Sequence, residues 1–210
     1  MKILLLHLSD IHFQTRTDAV LSQVKSIAAT AILRIHSAEA VFVVVSGDIA
    51  YSGSREQYEI ASAFFEELRS ALAEETDSPV HFILAPGNHD CDFSEDQSVR
   101  KALICTVLKK EGNNLTPAII DECVKVQRCF FEFRNTWGPS EKSLDGPLWV
   151  TYPLDVGGYK VVFDCLNVSW MSQLHEEQGK LIFPVEPYEH LKSEPAQIRV
   201  AILHHPLNWY

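Results

Sequence analysis

Apolar residues along this chain follow two rhythms. Residues 3–8, 41–45, 81–85 and 198–203 are short, nearly continuous apolar runs rich in β-branched side chains, and each predicts a strand. The run VFVVV at 41–45 shows no alternation, which predicts a strand covered on both faces in a parallel sheet. The first run, interrupted by His7 and ended by Asp10, reads as a buried strand, with His7 a satisfied core histidine. Helical spacing appears between the strands. Val20, Val24, Ile27 and Ala31 recur at threes and fours, predicting an amphipathic helix over residues 19–35 with Asp18 as its N-cap. Ser54 and Gln57 have the spacing of a capping box, and Tyr58, Ala61, Phe64, Phe65, Leu68 and Leu72 form the inner face of a second helix. Strand, helix, strand, helix, strand in that order predicts right-handed βαβ crossovers.

From Cys91 to Pro147 no strand is evident, and the pattern reads as a helical insertion. Residues 96–111 predict a helix that stops at Gly112. Thr116 as N-cap, Pro117 at the first helical position and Gly138 past the end bracket another. Residues 149–153 and 159–166 predict a hairpin around a turn at 155–158. Residues 171–197, polar with scattered proline, carry a weak helical signal.

A chain of 210 residues with 46% hydrophobic residues suits one large core, so we expect a single domain over residues 1–210 with an insertion at about 91–147. Eighteen basic against 28 acidic residues give a net charge of −10, a field that repels polyanions and argues against nucleic acid as a partner. Five cysteines without CxxC spacing point to a reducing, cytoplasmic setting, with Cys91 the one near enough to His89 to raise a redox role. No stretch reaches the roughly twenty apolar residues of a membrane span.

The chemistry lies where the strands end. Asp10-Ile11-His12, Gly47-Asp48, Gly87-Asn88-His89-Asp90 and His204-His205 each follow one of the predicted strands. If those strands are neighbours in one sheet, carboxylate, imidazole and amide groups meet along one edge. Asp10 and His12, two apart, share a side of an extended backbone. Asp48 can bridge two ions with its two oxygens, and Gly47 lets the backbone pack close beside a ligand. Oxygen and nitrogen donors without thiolate suit Mn, Fe or Zn. Such a site fits two-metal phosphoester hydrolysis, in which ions about 4 Å apart acidify a water and neutralise phosphoryl oxygens. His89 is the candidate general acid, with Asp90 orienting its ring, and Asn88, His89 and His205 are candidates to contact substrate. His36, His81, His175 and His190 have no partner motif. The stretch Phe130, Phe131, Phe133, Trp137 reads as packing rather than a base-stacking platform.

In order, these motifs resemble the signature of the calcineurin-like metallophosphoesterases, over residues 3–206. The resemblance implies an α/β fold, a four-layer α/β/β/α sandwich, and two divalent metals. It implies one metal held by Asp10, His12 and bridging Asp48 and a second by Asp48, Asn88 and His204; His204 rather than His205 takes the ligand position of a His-x-Pro-like sequence. The family's closing Gly-His-x-His motif does not follow His204, so a truncated domain, with further domains beyond residue 210, is expected. The implied activity is phosphodiester or phosphomonoester hydrolysis. A DNA or RNA nuclease of the same fold, and a degenerate regulatory metal-binding module of a larger protein, are the alternatives.

Overall fold

The computed structural model describes residues 1–109, 112, 115–193 and 195–209. Strands β1 (Ile3–Leu8), β2 (Ala40–Ser46) and β3 (Val80–Ala85) pair in parallel, with β2 in the middle. A second sheet runs β4 (Leu144–Asp145), β5 (Trp149–Val156), β6 (Tyr159–Leu166) and β7 (Ile198–Ile202). In it β4, β5 and β6 are antiparallel, and β7 runs parallel to β6. The last predicted strand therefore belongs to a different sheet from the first three, a correction to the single-edge picture.

Alternation along β2 explains how the sheets stack. Val41, Val43 and Val45 face a helical layer, while Ala40, Phe42 and Val44 face the second sheet, where Phe42 meets Phe163 at 4.6 Å between ring centres. Every apolar residue of β2 is buried, as its unbroken run predicts. β1 lies at the sheet edge and is only half buried, with Leu5 and His7 exposed, so it is not the buried strand expected.

The helices are α1 (Val24–Ile35), α2 (Arg55–Ala73), α3 (Ser98–Lys109), α4 (Pro117–Val124) and α5 (Arg128–Trp137). Those numbered α1, α2 and α5 cover the first sheet; Phe65 stacks on Phe82 of β3, and Trp137 packs edge-on to both. The aromatic stretch of α5 is packing, as predicted. The other two helices close a smaller core with Leu148, Trp170, Met171 and Leu181. Over the outer side of the second sheet, Tyr188 lies 5.0 Å from Trp149 between ring centres.

Several local expectations give way to competing hydrogen bonds. The helix expected over 19–35 opens with a 3₁₀ turn at Ala19–Gln23, because the Asp18 carboxylate accepts from the Gln14 and Thr15 amides instead of capping it. Gln57 accepts from the Ser52 amide, so Ser54 and Gln57 form no capping box. The predicted helix over 96–111 begins at Ser98, and its expected end at Glu111 lies outside the described residues. A 3₁₀ turn at Lys125–Gln127 divides the helix expected after Thr116 into two. The two-residue β4 falls where no strand was expected. The hairpin turn narrows to Gly157 and Gly158, both left-handed at φ 56° and 80°, a type I′ arrangement. No helix among the described residues is long and apolar enough to cross a membrane.

Candidate metal centre

Beyond their last ladder pairs, β1 and β2 keep running side by side. The Asp10 amide donates to the Gly47 carbonyl at 3.2 Å, His12 to Asp48 at 2.9 Å and Phe13 to Ile49 at 2.9 Å. Within this paired stretch Asp10, His12 and Asp48 are left-handed, with φ of 54°, 55° and 55°, and they are the described non-glycine residues that are. That conformation costs on the order of 1–3 kcal/mol per residue, and Asp and His tolerate it better than most. The three strained residues are the three donors expected from these loops.

Glycine makes room beside them. A Cβ on Gly47, itself at φ 104°, would meet His204 Nδ1 at 2.6 Å, and one on Gly87 would collide with the Asp48 carboxylate. His204 reaches the same place from the end of β7, across the sandwich.

The donor atoms of Asp10, Asp48 and His204 lie within 4.8 Å of one another, as do those of His12, Asp48 and His89. Asp48 belongs to both sets and is 3% exposed. His204 Nε2 stands 3.4 Å from Asp48 Oδ2 and 3.2 Å from Asn88 Oδ1, and His12 Nε2 stands 3.7 Å from Asp48 Oδ2. Donors sharing one ion at bond lengths of about 2.1 Å sit about 3.0–3.5 Å apart, so the His204 separations suit a divalent metal, and His12 stands just outside that range. The structure brings the expected donors together around Asp48. Asp10 stands with His204, and His89 joins His12.

Two rings have their tautomers set by backbone. A carbonyl can only accept, so His204 Nδ1–H donates to Ser46 O at 2.9 Å and leaves Nε2 toward Asp48. His89 Nδ1–H likewise donates to Tyr51 O at 2.7 Å, and its ring stands edge-on to His12 at 4.6 Å. Burial opposes charge on Asp48, but hydrogen bonding and charge from His204 outweigh it and hold the carboxyl below its usual range. Burial likewise opposes the His204 cation, but Asp48 more than compensates and lifts it to about 9. A site this charged and this close around one carboxylate suits a cation.

Asp90 does not orient His89. It is fully buried, accepting from the Ala50 amide and Tyr58 hydroxyl on Oδ1 and from the Gly87 and Ile49 amides on Oδ2. Burial pushes its pKa up, and these donors oppose the shift. Neighbours on a tight turn point opposite ways, and here the carboxylate turns inward while the imidazole turns out. His205 shows the same divergence. It is 4% exposed, pairs through Nε2 with Glu176 Oε2 at 3.2 Å, and so does not face substrate. Cys91 is buried, and burial pushes its thiol far up, which removes the redox role. Tyr58, placed in the apolar face of α2, and Glu176, in a stretch without clear pattern, escaped sequence reasoning. Partner hydroxyls and carboxylates carry no spacing signal of their own.

A phosphoesterase fold and a carboxylate-centred donor cluster at its strand ends define a class. The chain belongs to the calcineurin-like phosphoesterases, whose family model matches residues 3–210. Family membership carries metal-dependent phosphoester hydrolysis as its general chemistry. No curated protein matches the chain.

Proposed function

We propose that the chain hydrolyses a phosphodiester or phosphomonoester with a binuclear centre of Mn, Fe or Zn. The observation that carries this reading is the position of Asp48, a buried carboxylate common to two sets of donors. Asp10, Asp48, Asn88 and His204 would hold one ion and His12 and Asp48 the other, the ions when bound activating water and neutralising phosphoryl oxygens.

The chain's own groups act around that centre. Asn88 places its amide against the phosphoryl group. His89 has its Nδ1 proton committed to Tyr51, so Nε2 serves the substrate. As a water oxygen bonds to phosphorus and loses its proton to solvent, the P–O bond to the leaving group breaks, and the leaving oxygen takes a proton from Nε2 of the doubly protonated His89 ring, which returns to the Nδ1–H form. Asp90 holds the loops that carry Asp48 and His89 and is a positioning residue. The insertion at about 91–147, which carries α3, α4 and α5 and ends in β4, is part of one domain, and the free state of all five cysteines supports work in the cytoplasm.

The test is Asp48→Asn, measuring bound metal and hydrolysis of bis(4-nitrophenyl) phosphate beside the parent chain. Both are expected to vanish, and metal-dependent turnover surviving the substitution would refute the assignment.

A further inference from the structure

A groove of about 680 Å³ opens beside the donor cluster, sharing Asn88 and His89 with it. That volume suits a small organic group rather than a polymer. Its apolar walls include Tyr51, Phe93 and Leu174. Tyr51 is the wall nearest the chemistry, its ring 5.5 Å from that of His89, and Leu174 is 71% exposed.

The charged lining has one sign. Among the described residues the groove is bordered by the carboxylates of Glu56 and Asp92 and by no lysine or arginine. Two arginines close by in sequence have partners of their own. Arg55 pairs with Glu132 at 2.8 Å, and Arg100 is buried, donating to the carbonyls of Cys123, Trp170 and Ser172 behind Phe93. Asp92 is fixed by the Ser94 amide, which donates to its Oδ1 at 2.9 Å, and Glu56 is held as the charged carboxylate, below its ordinary range, by its own backbone amide and Ser54, with Arg55 acting in the same sense and Asp92 against it. A leaving group entering here meets aromatic surface and two negative charges.

Resting on the proposed hydrolase reading, we infer that this groove receives the leaving group and selects esters of flat alcohols or phenols that are uncharged or cationic, against those carrying further anionic groups. His89, the proposed proton donor to the leaving oxygen, lines the groove, which places the leaving group there. Each added carboxylate or phosphate on that group would sit near Glu56 and Asp92 with no lysine or arginine among the lining side chains to neutralise it, the cations of the metal centre being matched to the phosphoryl group itself. Phenyl and cationic aryl esters are the matching chemistry, with aromatic contact to Tyr51 and Phe93.

The experiment compares kcat/KM for the methyl phosphodiesters of phenol, 3-carboxyphenol and 3-(trimethylammonio)phenol, in the parent chain and in Glu56→Gln/Asp92→Asn. Intrinsic leaving-group reactivity and any inactive fraction cancel, because the readout is the change in substrate ratio between the two proteins. The carboxyphenyl-to-phenyl ratio should rise at least about tenfold in the variant, and the trimethylammonio-to-phenyl ratio should fall. Ratios that stay within about twofold overturn the inference. Calorimetric binding of phenylphosphonate against 3-carboxyphenylphosphonate provides a second arm that needs no turnover. If neither these diesters nor phenyl phosphate is hydrolysed, the hydrolase reading fails while binding still judges the groove. Equal affinity in parent and variant, or no binding of either phosphonate, overturns the selection itself.

Discussion

Replacing Asp90 separates a scaffold carboxylate from a ligand. Each of its oxygens accepts from two donors, at 2.9 Å and 2.8 Å on Oδ1 and at 2.9 Å and 3.3 Å on Oδ2. Asp90→Ala strands all four donors in a site with no solvent access. At about 1 kcal/mol or more for each, that costs at least about 4 kcal/mol, a large part of the 5–15 kcal/mol that holds a typical domain together. Asp90→Asn is milder, and its geometry says by how much. With the new amide nitrogen in place of Oδ1, the Tyr58 hydroxyl can turn round and accept, so the Ala50 amide alone loses its acceptor. The opposite orientation strands both Ile49 and Gly87. The first arrangement wins, at about 1–3 kcal/mol, or roughly 2–12 °C in Tm for a chain of this size.

Urea titration of parent, Asp90→Asn and Asp90→Ala would read this order, with bound metal measured on each folded variant. Asp90→Asn should keep its metal at low temperature, whereas Asp48→Asn loses it. An Asn variant as unstable as the Ala variant, or an Ala variant as stable as the parent, would refute the four-donor account.

The pair of His204 and Asp48 makes the metal-free chain sensitive to pH. The folded His204 value of about 9 lies above its ordinary 6.5, so that stabilisation is complete below 6.5 and lost as pH rises through 9, up to about 3 kcal/mol. Asp48, held low, loses its share only on the acid side. Melting of chelated protein should therefore fall between about pH 6.5 and 9.5, and His204→Gln should flatten the slope. Gly47→Ala drives a methyl into His204 at a left-handed position and should cost at least about 2 kcal/mol and weaken metal binding, read by melting and by metal analysis. Arg100→Met removes three hydrogen bonds to buried carbonyls and should lower stability by about 3 kcal/mol, measured by urea titration.

Strands and their ends were legible because burial leaves a periodic trace. β2 announced burial on both faces through five apolar residues in succession, and every donor around Asp48 stood directly after such a run. Which sheet a strand joins leaves no such trace: β7 looks like β3 in sequence, and packing across the sandwich alone assigns it beside β6. Side-chain direction at turns was equally hidden. His89 with Asp90 and His204 with His205 are neighbours in sequence that part company in space, which is why adjacency misassigned Asp90 and His205. Left-handed backbone at Asp10, His12 and Asp48 was also invisible, since glycine advertises that conformation and aspartate does not.

His204 and Ser46 are separated by 158 positions and joined by one hydrogen bond. Contacts of such long range form late, after loop closure has been offset by packing of both sheets. A nascent or half-folded chain can offer His12, Asp48 and His89 early, yet it cannot close the set of Asp10, Asp48 and His204 until β7 has docked. Uptake at the His204 set would then report the end of folding rather than its beginning, and a chain arrested midway would lack the second cation and the reactivity that needs both.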